Sequence, residues 1–298
     1  MADDGYPTAT SKLVVRGDAN VVIESKVVTV ANVYPGRIVT RDTSDNGVKV
    51  ADGLAPPVGI AGYEQTNVNY RKDSISTIYA VNDRIGVIRG VGFVAELKMA
   101  IGFEAVQGDL MFTYKDGCVA PGCLINGTPH LRVPFTKKTS LFDTKVDVPS
   151  GAIIGLPVIQ VVTNAGSSWI NVGMGAGSET GHDADGLCDG VSCVNAGFVA
   201  HILADTTDGN RTSGDLLEDA KLTDATGGGA IYASVIHNPG LVCDGTLVSL
   251  DYTTSNHTVA GFIWLPLSSP GIVPIGRAGK SVSASTTAVQ DIPVEVSW

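Results

Sequence analysis

Short apolar segments alternate with polar turns along most of this chain, a pattern that predicts strands rather than helices. Residues 21–30 are rich in β-branched side chains, with charges at the middle of the run. In residues 36–51, "GRIV" predicts a strand, "RDTSDNG" a turn and "VKVA" the returning strand. A third strand is predicted in "PPVGIAGYE", where Pro56 and Pro57 mark its start.

The same order of elements recurs in "GDLMFTYKDGCVAP", residues 108–121. Gly108-Asp109 corresponds to Gly36, "LMFT" to "RIVT", "KDG" to "SDNG" and "CVA" to "VKVA". The closing segment recurs as "GAIIGLPVIQ" near Ile154, after an insertion at about 122–150 that predicts a long surface loop. A single module of this kind cannot bury its apolar face, so two modules predict a small barrel or sandwich.

The repeated Gly-Asp has a physical interpretation of its own. Glycine suits a tight bend, and the aspartate side chain accepts a hydrogen bond from a nearby backbone amide. The next predicted strands, "RIGVIRG" and "GFVAEL", follow a similar turn at Asn82-Asp83. These turns are therefore expected to fix where each strand begins.

The chain divides into three predicted parts. Residues 1–19 are polar and have no periodic apolar face, so they predict an extended N-terminal arm, free or laid on a partner. Residues 20–175 predict a β-barrel domain built from the duplicated modules. A Gly/Asp-rich linker begins near residue 175, and residues 176–298 predict a second, β-sandwich-like domain. The predicted fold class is all-β, although residues 213–225 form either a helix or a third copy of the module.

Composition and charge narrow the possible functions. Charged residues are only 17% of the chain, glycines number 36, and the net charge is −10. An acidic surface repels phosphate, so direct nucleic-acid binding is not expected. No apolar run is long enough for a spanning helix and no signal peptide is evident. We therefore expect synthesis in a cytoplasm and no membrane partner.

The five cysteines include two Cys-x4-Cys pairs. Unpaired buried thiols are the favoured interpretation, because zinc pairs more often have two intervening residues and an odd count does not complete a disulfide framework. A disulfide within a pair and a four-thiolate zinc site remain alternatives. The cysteines are Cys118, Cys123, Cys188, Cys193 and Cys243.

Other residues with chemical potential fit no known catalytic spacing. Asp183, Asp185 and Asp189 lie beside glycines, but the order of an EF-hand calcium loop fails because Leu187 takes a ligand position, which favours a solvated linker. The tryptophans form either core contacts or a sugar platform. We predict no catalytic, cofactor-binding or metal site, and the residues considered are His130, His182, His201, His237, His257, Trp169, Trp264 and Trp298.

The repeated segments carry a resemblance to a known family. "GRIVTRDTSDNGVKVADGLAPPVGIAG", "DRIGVIRGVGFVAEL" and "QGDLMFTYKDGCVAP" resemble capsid decoration, or cement, proteins of tailed double-stranded DNA viruses. The resemblance spans about residues 20–175, and the added residues 176–298 depart from it. It implies a small β-barrel, often clustered as trimers on the outer shell, with a flexible N-terminal arm that lies across neighbouring capsid subunits. It supplies no catalytic residues.

The resemblance implies a structural virion protein that binds the outer surface of a capsid and stabilises it. The expected partners are the major capsid protein and further copies of this chain, with a trimer favoured. The expected location is the capsid surface of a virion. The alternatives are a tail component, a jelly-roll capsid subunit, a carbohydrate-binding module and, last, an enzyme.

Overall fold

The computed structural model describes residues 14–16, 21–44, 46–62, 77–164, 166–174, 183–199, 241–242 and 249–297. The predicted all-β class is confirmed, because strands dominate the described residues and a 3-10 turn at Lys115–Gly117 is the helical element found among them. Residues 213–225, predicted as either a helix or a third copy of the module, lie outside the described residues, as does most of the predicted arm. The chain forms two compact units, one of Met1–Cys123 with Ser269–Trp298 and one of Leu124–Ser268.

Strands are numbered in chain order, and the first run of them lies in the first unit, apart from the last two residues of its final strand. They are β1 (Val14–Arg16), β2 (Val22–Val28), β3 (Ile38–Arg41), β4 (Gly47–Val50), β5 (Pro57–Ala61), β6 (Arg84–Arg89), β7 (Val91–Met99), β8 (Leu110–Thr113) and β9 (Val119–Ile125).

The next run of strands lies in the second unit, after which the chain returns to the first. The second-unit strands are β10 (Thr128–Thr136), β11 (Phe142–Asp147), β12 (Ile153–Ile154), β13 (Val158–Thr163), β14 (Trp169–Met174), β15 (Asp183–Ser192), β16 (Gly197–Val199), β17 (Leu241–Val242), β18 (Ser249–Thr254) and β19 (Ala260–Ser268), and the returning strands are β20 (Pro274–Ala278) and β21 (Gln290–Ser297).

The first unit begins with a closed five-stranded barrel in the order β2-β4-β3-β5-β6. Its interior is apolar and includes Val28, Val39, Val48, Ile85 and Val87, each at most 1% exposed. The predicted hairpin of "GRIV" and "VKVA" is confirmed, because β3 and β4 pair in antiparallel register. The predicted third strand is confirmed as β5, which pairs with β3 and with β6.

The second barrel repeats the topology of the first. β7 pairs with β21, β21 with β20, β20 with β8, β8 with β9, and β9 with β7, which closes a five-strand circuit. Parallel contact joins the first and third strands of each copy, Val28 with Val48 in one and Met99 with Val119 in the other. The duplicated modules therefore belong to two separate five-strand circuits, whereas the sequence predicted that two modules together close one small barrel or sandwich.

The closing strand of the second barrel is not the segment that the sequence predicted. "GAIIGLPVIQ" forms β12 and β13, which pair with β19 in the second unit. The true counterpart of "PVGIAG", residues 57–62, is "PIGRAG", residues 274–279. In both barrels the register of the closing strand shifts just after its proline. The residues after the shift also pair in the same way. Ile60 lies opposite Ile38 and Gly59 opposite Val39 in the first barrel, and Arg277 lies opposite Leu110 and Gly276 opposite Met111 in the second.

Turns of one geometry lead into β3, β6 and β8. Each has a positive φ at its third residue, 81° at Gly36, 72° at Asn82 and 89° at Gly108. In the last two, an aspartate accepts a hydrogen bond from the amide three residues earlier, at 2.8 Å for Asp83 and 2.5 Å for Asp109. The predicted role of Gly-Asp is confirmed at Gly108-Asp109, where glycine permits the bend and aspartate holds it, whereas Gly36 is followed by Arg37 and the turn at Asp83 has Asn82 in place of glycine.

The second unit contains two sheets. In one, β19 pairs with β10 on one side and with β12 and β13 on the other. The other has the order β11-β18-β14-β15. The sheets meet where Phe135 and Tyr252 pack edge to face, with ring centroids 6.1 Å apart, and the Thr136 amide donates to the Tyr252 hydroxyl at 3.1 Å.

Three organisational predictions differ from the structure. The insertion at 122–150 is not a loop, because β10 and β11 lie within it. The prediction of a Gly/Asp-rich linker is wrong for residues 183–190, because they are part of β15. The predicted domain boundary between residues 175 and 176 lies outside the described residues. The two compact units divide the chain differently from the prediction, because β20 and β21 return to the first unit and complete the second barrel.

Candidate functional site

The described cysteines form no disulfide, so the Cys118/Cys123 and Cys188/Cys193 pairs are not bridged. Burial raises the pKa of the Cys118 thiol to about 11, although the nearby Arg37 guanidinium acts in the opposite direction. Burial likewise raises the pKa of Cys193 to about 12, and it raises that of Cys188 as well. Protonated, buried thiols of this kind are poor nucleophiles and poor metal ligands.

We expect alkylation to discriminate within the first pair. Cys118 is buried and Cys123 is half-buried. Because the pKa of Cys118 is raised from 9.0 to about 11, its thiolate fraction at neutral pH is about a hundredfold smaller than that of a cysteine with the ordinary pKa. Iodoacetamide at pH 7.5 should therefore modify Cys123 well before Cys118, as measured by peptide mass spectrometry over time. A Cys123→Ser variant provides the control for slow labelling of Cys118, and equal rates at the two thiols would contradict the prediction.

The histidines and aspartates considered from the sequence do not meet at a site. His130 is 8% exposed and its Nδ1 lies 3.0 Å from the Thr128 carbonyl oxygen, whereas His257 is exposed on a turn. The backbone of Asp183, Asp185 and Asp189 belongs to β15. His182, His201 and His237 lie outside the described residues, and within the described part no group of three potential metal ligands is found.

The aromatic residues have mixed surroundings. Trp169 is 39% exposed, and Trp298 lies outside the described residues. The Trp264 indole donates to Gln160 Oε1 at 2.9 Å, and its ring centroid is 6.4 Å from that of Phe198. Gln160 of β13 and Phe198 of β16 are therefore the neighbours of Trp264, which lies on β19. These three strands pair side by side, so Trp264 packs across the surface of their sheet.

The clearest concentration of charge in the described chain surrounds a small cavity at one end of the first barrel. The cavity has a volume of about 60 Å³, and its charged walls are Glu24, Lys26, Arg41 and Arg89. Lys26 pairs with Ile85 across the sheet, and Glu24 pairs with Val87. Directly paired residues share a face, so these charged side chains continue the apolar interior of the barrel towards solvent.

Ion pairs hold two of the cavity's three basic side chains. Lys26 Nζ lies 3.4 Å from a Glu24 carboxylate oxygen, and Arg89 forms an ion pair with the same carboxylate. Arg41 is exposed and belongs to none of the ion pairs found among the described residues. Because three basic groups face one carboxylate, the cavity is cationic in a chain whose net charge is −10.

The second barrel lacks this cavity chemistry. Alignment on Val28 and Met99 places Ala95 where the first barrel has Glu24, and Leu97 where it has Lys26. Both replacements are fully buried. The charged end is therefore a property of the first barrel alone, and the fold does not require it.

Charges at the middle of the β2 segment are visible in the sequence, but that pattern alone predicted no role for them. The signal that could have identified the charged face was the spacing of these charges along the strand. Glu24 and Lys26 are separated by two residues, so they share a face, and that face also carries the buried Val28. Arg41 and Arg89 join them only through barrel closure, which local sequence does not reveal.

Comparison with known proteins identifies no family for this chain. No protein-family model matches it, and a search of curated proteins finds no match. Among the described residues, none forms a helix long and apolar enough to cross a membrane.

Proposed function

We propose that this protein is a structural component of a virus particle, which binds the outer surface of the capsid and stabilises it. The observation that carries the proposal is the repetition of one small barrel, in which the duplicated turns and strands are the segments that resemble cement proteins. A protein with two similar barrels can make related contacts at neighbouring positions of a lattice. Weak contacts that are repeated in this way add through multivalency.

Charge and chemistry are consistent with this role. The net charge of −10 suits the outer face of a shell, away from the packaged nucleic acid. The partners in this proposal are the major capsid protein and other copies of the chain in a trimer. The N-terminal arm would contact neighbouring subunits, with its boundary moved to residue 13 because Val14–Arg16 pairs with β7 of the same chain.

Fractionation of virus particles from the source of the sequence tests the proposal. We expect the protein to sediment with intact particles, and antibodies raised against it to label the outside of the heads in immunogold electron microscopy. Labelling confined to tails, or a protein that stays in the soluble fraction while particles sediment, would reject capsid decoration. Labelled tails would favour the tail-component alternative.

A truncation separates the contribution of the arm from that of the barrels. Particles stripped of the protein are mixed with the full chain or with a variant lacking residues 1–13, which keeps β1. We expect the truncated protein to rebind at least about tenfold more weakly, since it loses one of several linked contacts. Equal rebinding of the two proteins would reject the role of the arm without affecting capsid binding itself.

A further inference from the structure

One edge of β2 in the first barrel, called the open edge below, has no partner strand among the described residues. The amides of Val27 and Thr29 donate towards the β4 side, to Asn46 O at 2.8 Å and Val48 O at 3.0 Å. Amide direction alternates along a strand, so the Ile23 and Ser25 amides point to the same side. No residue of β4 lies beside them, because β4 runs parallel to β2 and begins only at Gly47, opposite Val27, and no described residue pairs with this stretch of β2.

The second barrel shows what fills such an edge. β7 is the counterpart of β2, and β9 meets it only at Met99. Beyond that point the open side of β7 is occupied by β1, with Val14 opposite Ala95 and Arg16 opposite Val94. With the barrels aligned, Val94 corresponds to Ile23. Within the described part of the chain, one barrel thus has an added strand and the other does not.

The open edge lies beside the cationic cavity. Residues of all five strands of the first barrel line the cavity, among them Lys26 of β2 and Gly47 of β4, so the cavity lies at the end of the barrel where β2 begins. Val22 and Ile23, at the start of β2, are 52% and 40% exposed. An occupant of the open edge would meet backbone amides to which no described residue is paired, apolar side chains and an excess of positive charge.

We propose that the open edge of β2 binds an extended, acidic segment of another protein chain, which adds to the first barrel as β1 adds to the second. Strand addition satisfies the Ile23 and Ser25 amides, and acidic side chains of the segment reach Arg41 and Lys26. A cavity of about 60 Å³ accommodates single side chains and is far below the roughly 300–1,000 Å³ typical of small-molecule sites. The inference concerns the barrel itself and does not depend on capsid decoration.

Peptide titration of the full-length protein tests the proposal by NMR. The probe is the blocked peptide Thr-Glu-Val-Glu-Val-Thr, and the matched control is Thr-Lys-Val-Lys-Val-Thr. We expect saturable binding of the acidic peptide, with amide shifts centred on Ile23 and Ser25, and at least about tenfold weaker binding of the basic one. Failure of the acidic peptide to saturate below about 1 mM, or equal binding of both, would overturn the proposal.

Two variants separate charge from backbone recognition. Arg41→Glu should weaken the acidic peptide about tenfold because repulsion replaces attraction, whereas Lys137→Glu makes the same charge change at an exposed residue of the second unit and should have little effect. Ser25→Pro removes a donor from the open edge and should weaken the peptide while circular dichroism stays unchanged. If sodium acetate at equal carboxylate concentration displaces the peptide, the site binds free anions and the proposal is wrong.

Discussion

Gly276→Ala should destabilise the second barrel by about 3 kcal/mol, a large effect for the addition of one methyl group. A Cβ at this position would lie 2.1 Å from the Glu295 carbonyl oxygen and 2.8 Å from its carbonyl carbon. These atoms belong to the backbone of β21, which pairs with β20 at this point. The clash cannot be relieved by a side-chain rotation, so β20 and β21 must separate.

Gly108→Ala provides a matched control in the same unit. Gly108 has a φ of 89°, and a Cβ there would meet nothing within 4 Å. The substitution therefore adds backbone strain of about 1–2 kcal/mol without a collision. Calorimetry should rank the variants, and amide hydrogen exchange should place the larger loss in β20 and β21. A Gly276→Ala protein as stable as Gly108→Ala would contradict the close approach of these strands.

The corresponding residue of the first barrel shows that this tight contact is part of the duplicated design. A Cβ at Gly59 would lie 2.3 Å from Val87 Cγ1 and 2.8 Å from the Ile88 carbonyl oxygen. Gly59 and Gly276 occupy the same place in "PVGIAG" and "PIGRAG". In both barrels the closing strand passes so near to its neighbour that a side chain does not fit.

The strands of the repeat are predictable from the sequence because the signals that mark them are local. The positive φ at Gly36 and Gly108 and the aspartate that accepts from a nearby amide depend on a few consecutive residues. A short apolar run after each turn likewise marked β3 and β8. Neither signal contains information about which distant strand becomes the partner.

The second closing strand was misplaced for this reason. "GAIIGLPVIQ" and "PIGRAG" both combine glycine, proline and apolar residues, and the former comes first after β9. The choice depends on long-range pairing, since β20 reaches β8 only after the whole second unit has intervened. Within that unit, Pro129 and Pro134 masked the alternation of buried residues that identifies β10, namely Leu131, Val133 and Phe135.

Deletion of residues 124–268 should leave a folded protein with both barrels intact. The five pairings of the second barrel are made by strands from the first unit, and in the first barrel the corresponding connection is only residues 51–56. Joining Cys123 to Ser269 through a Gly-Ser-Gly-Ser linker reproduces that short connection. We expect a cooperative melting transition within about 5 °C of that of the first unit in the full chain.

Removal of residues 269–298 is the matched deletion with the opposite expectation. It takes away β20 and β21, so β7 and β8 each lose a paired neighbour and their apolar interior faces become exposed. Such a protein should bind a hydrophobic dye and lose amide protection in β7 and β8, although far fewer residues are deleted. If the shorter deletion folds and the longer one does not, the second unit is required for barrel closure, and the chain is not a duplicated barrel with an inserted unit.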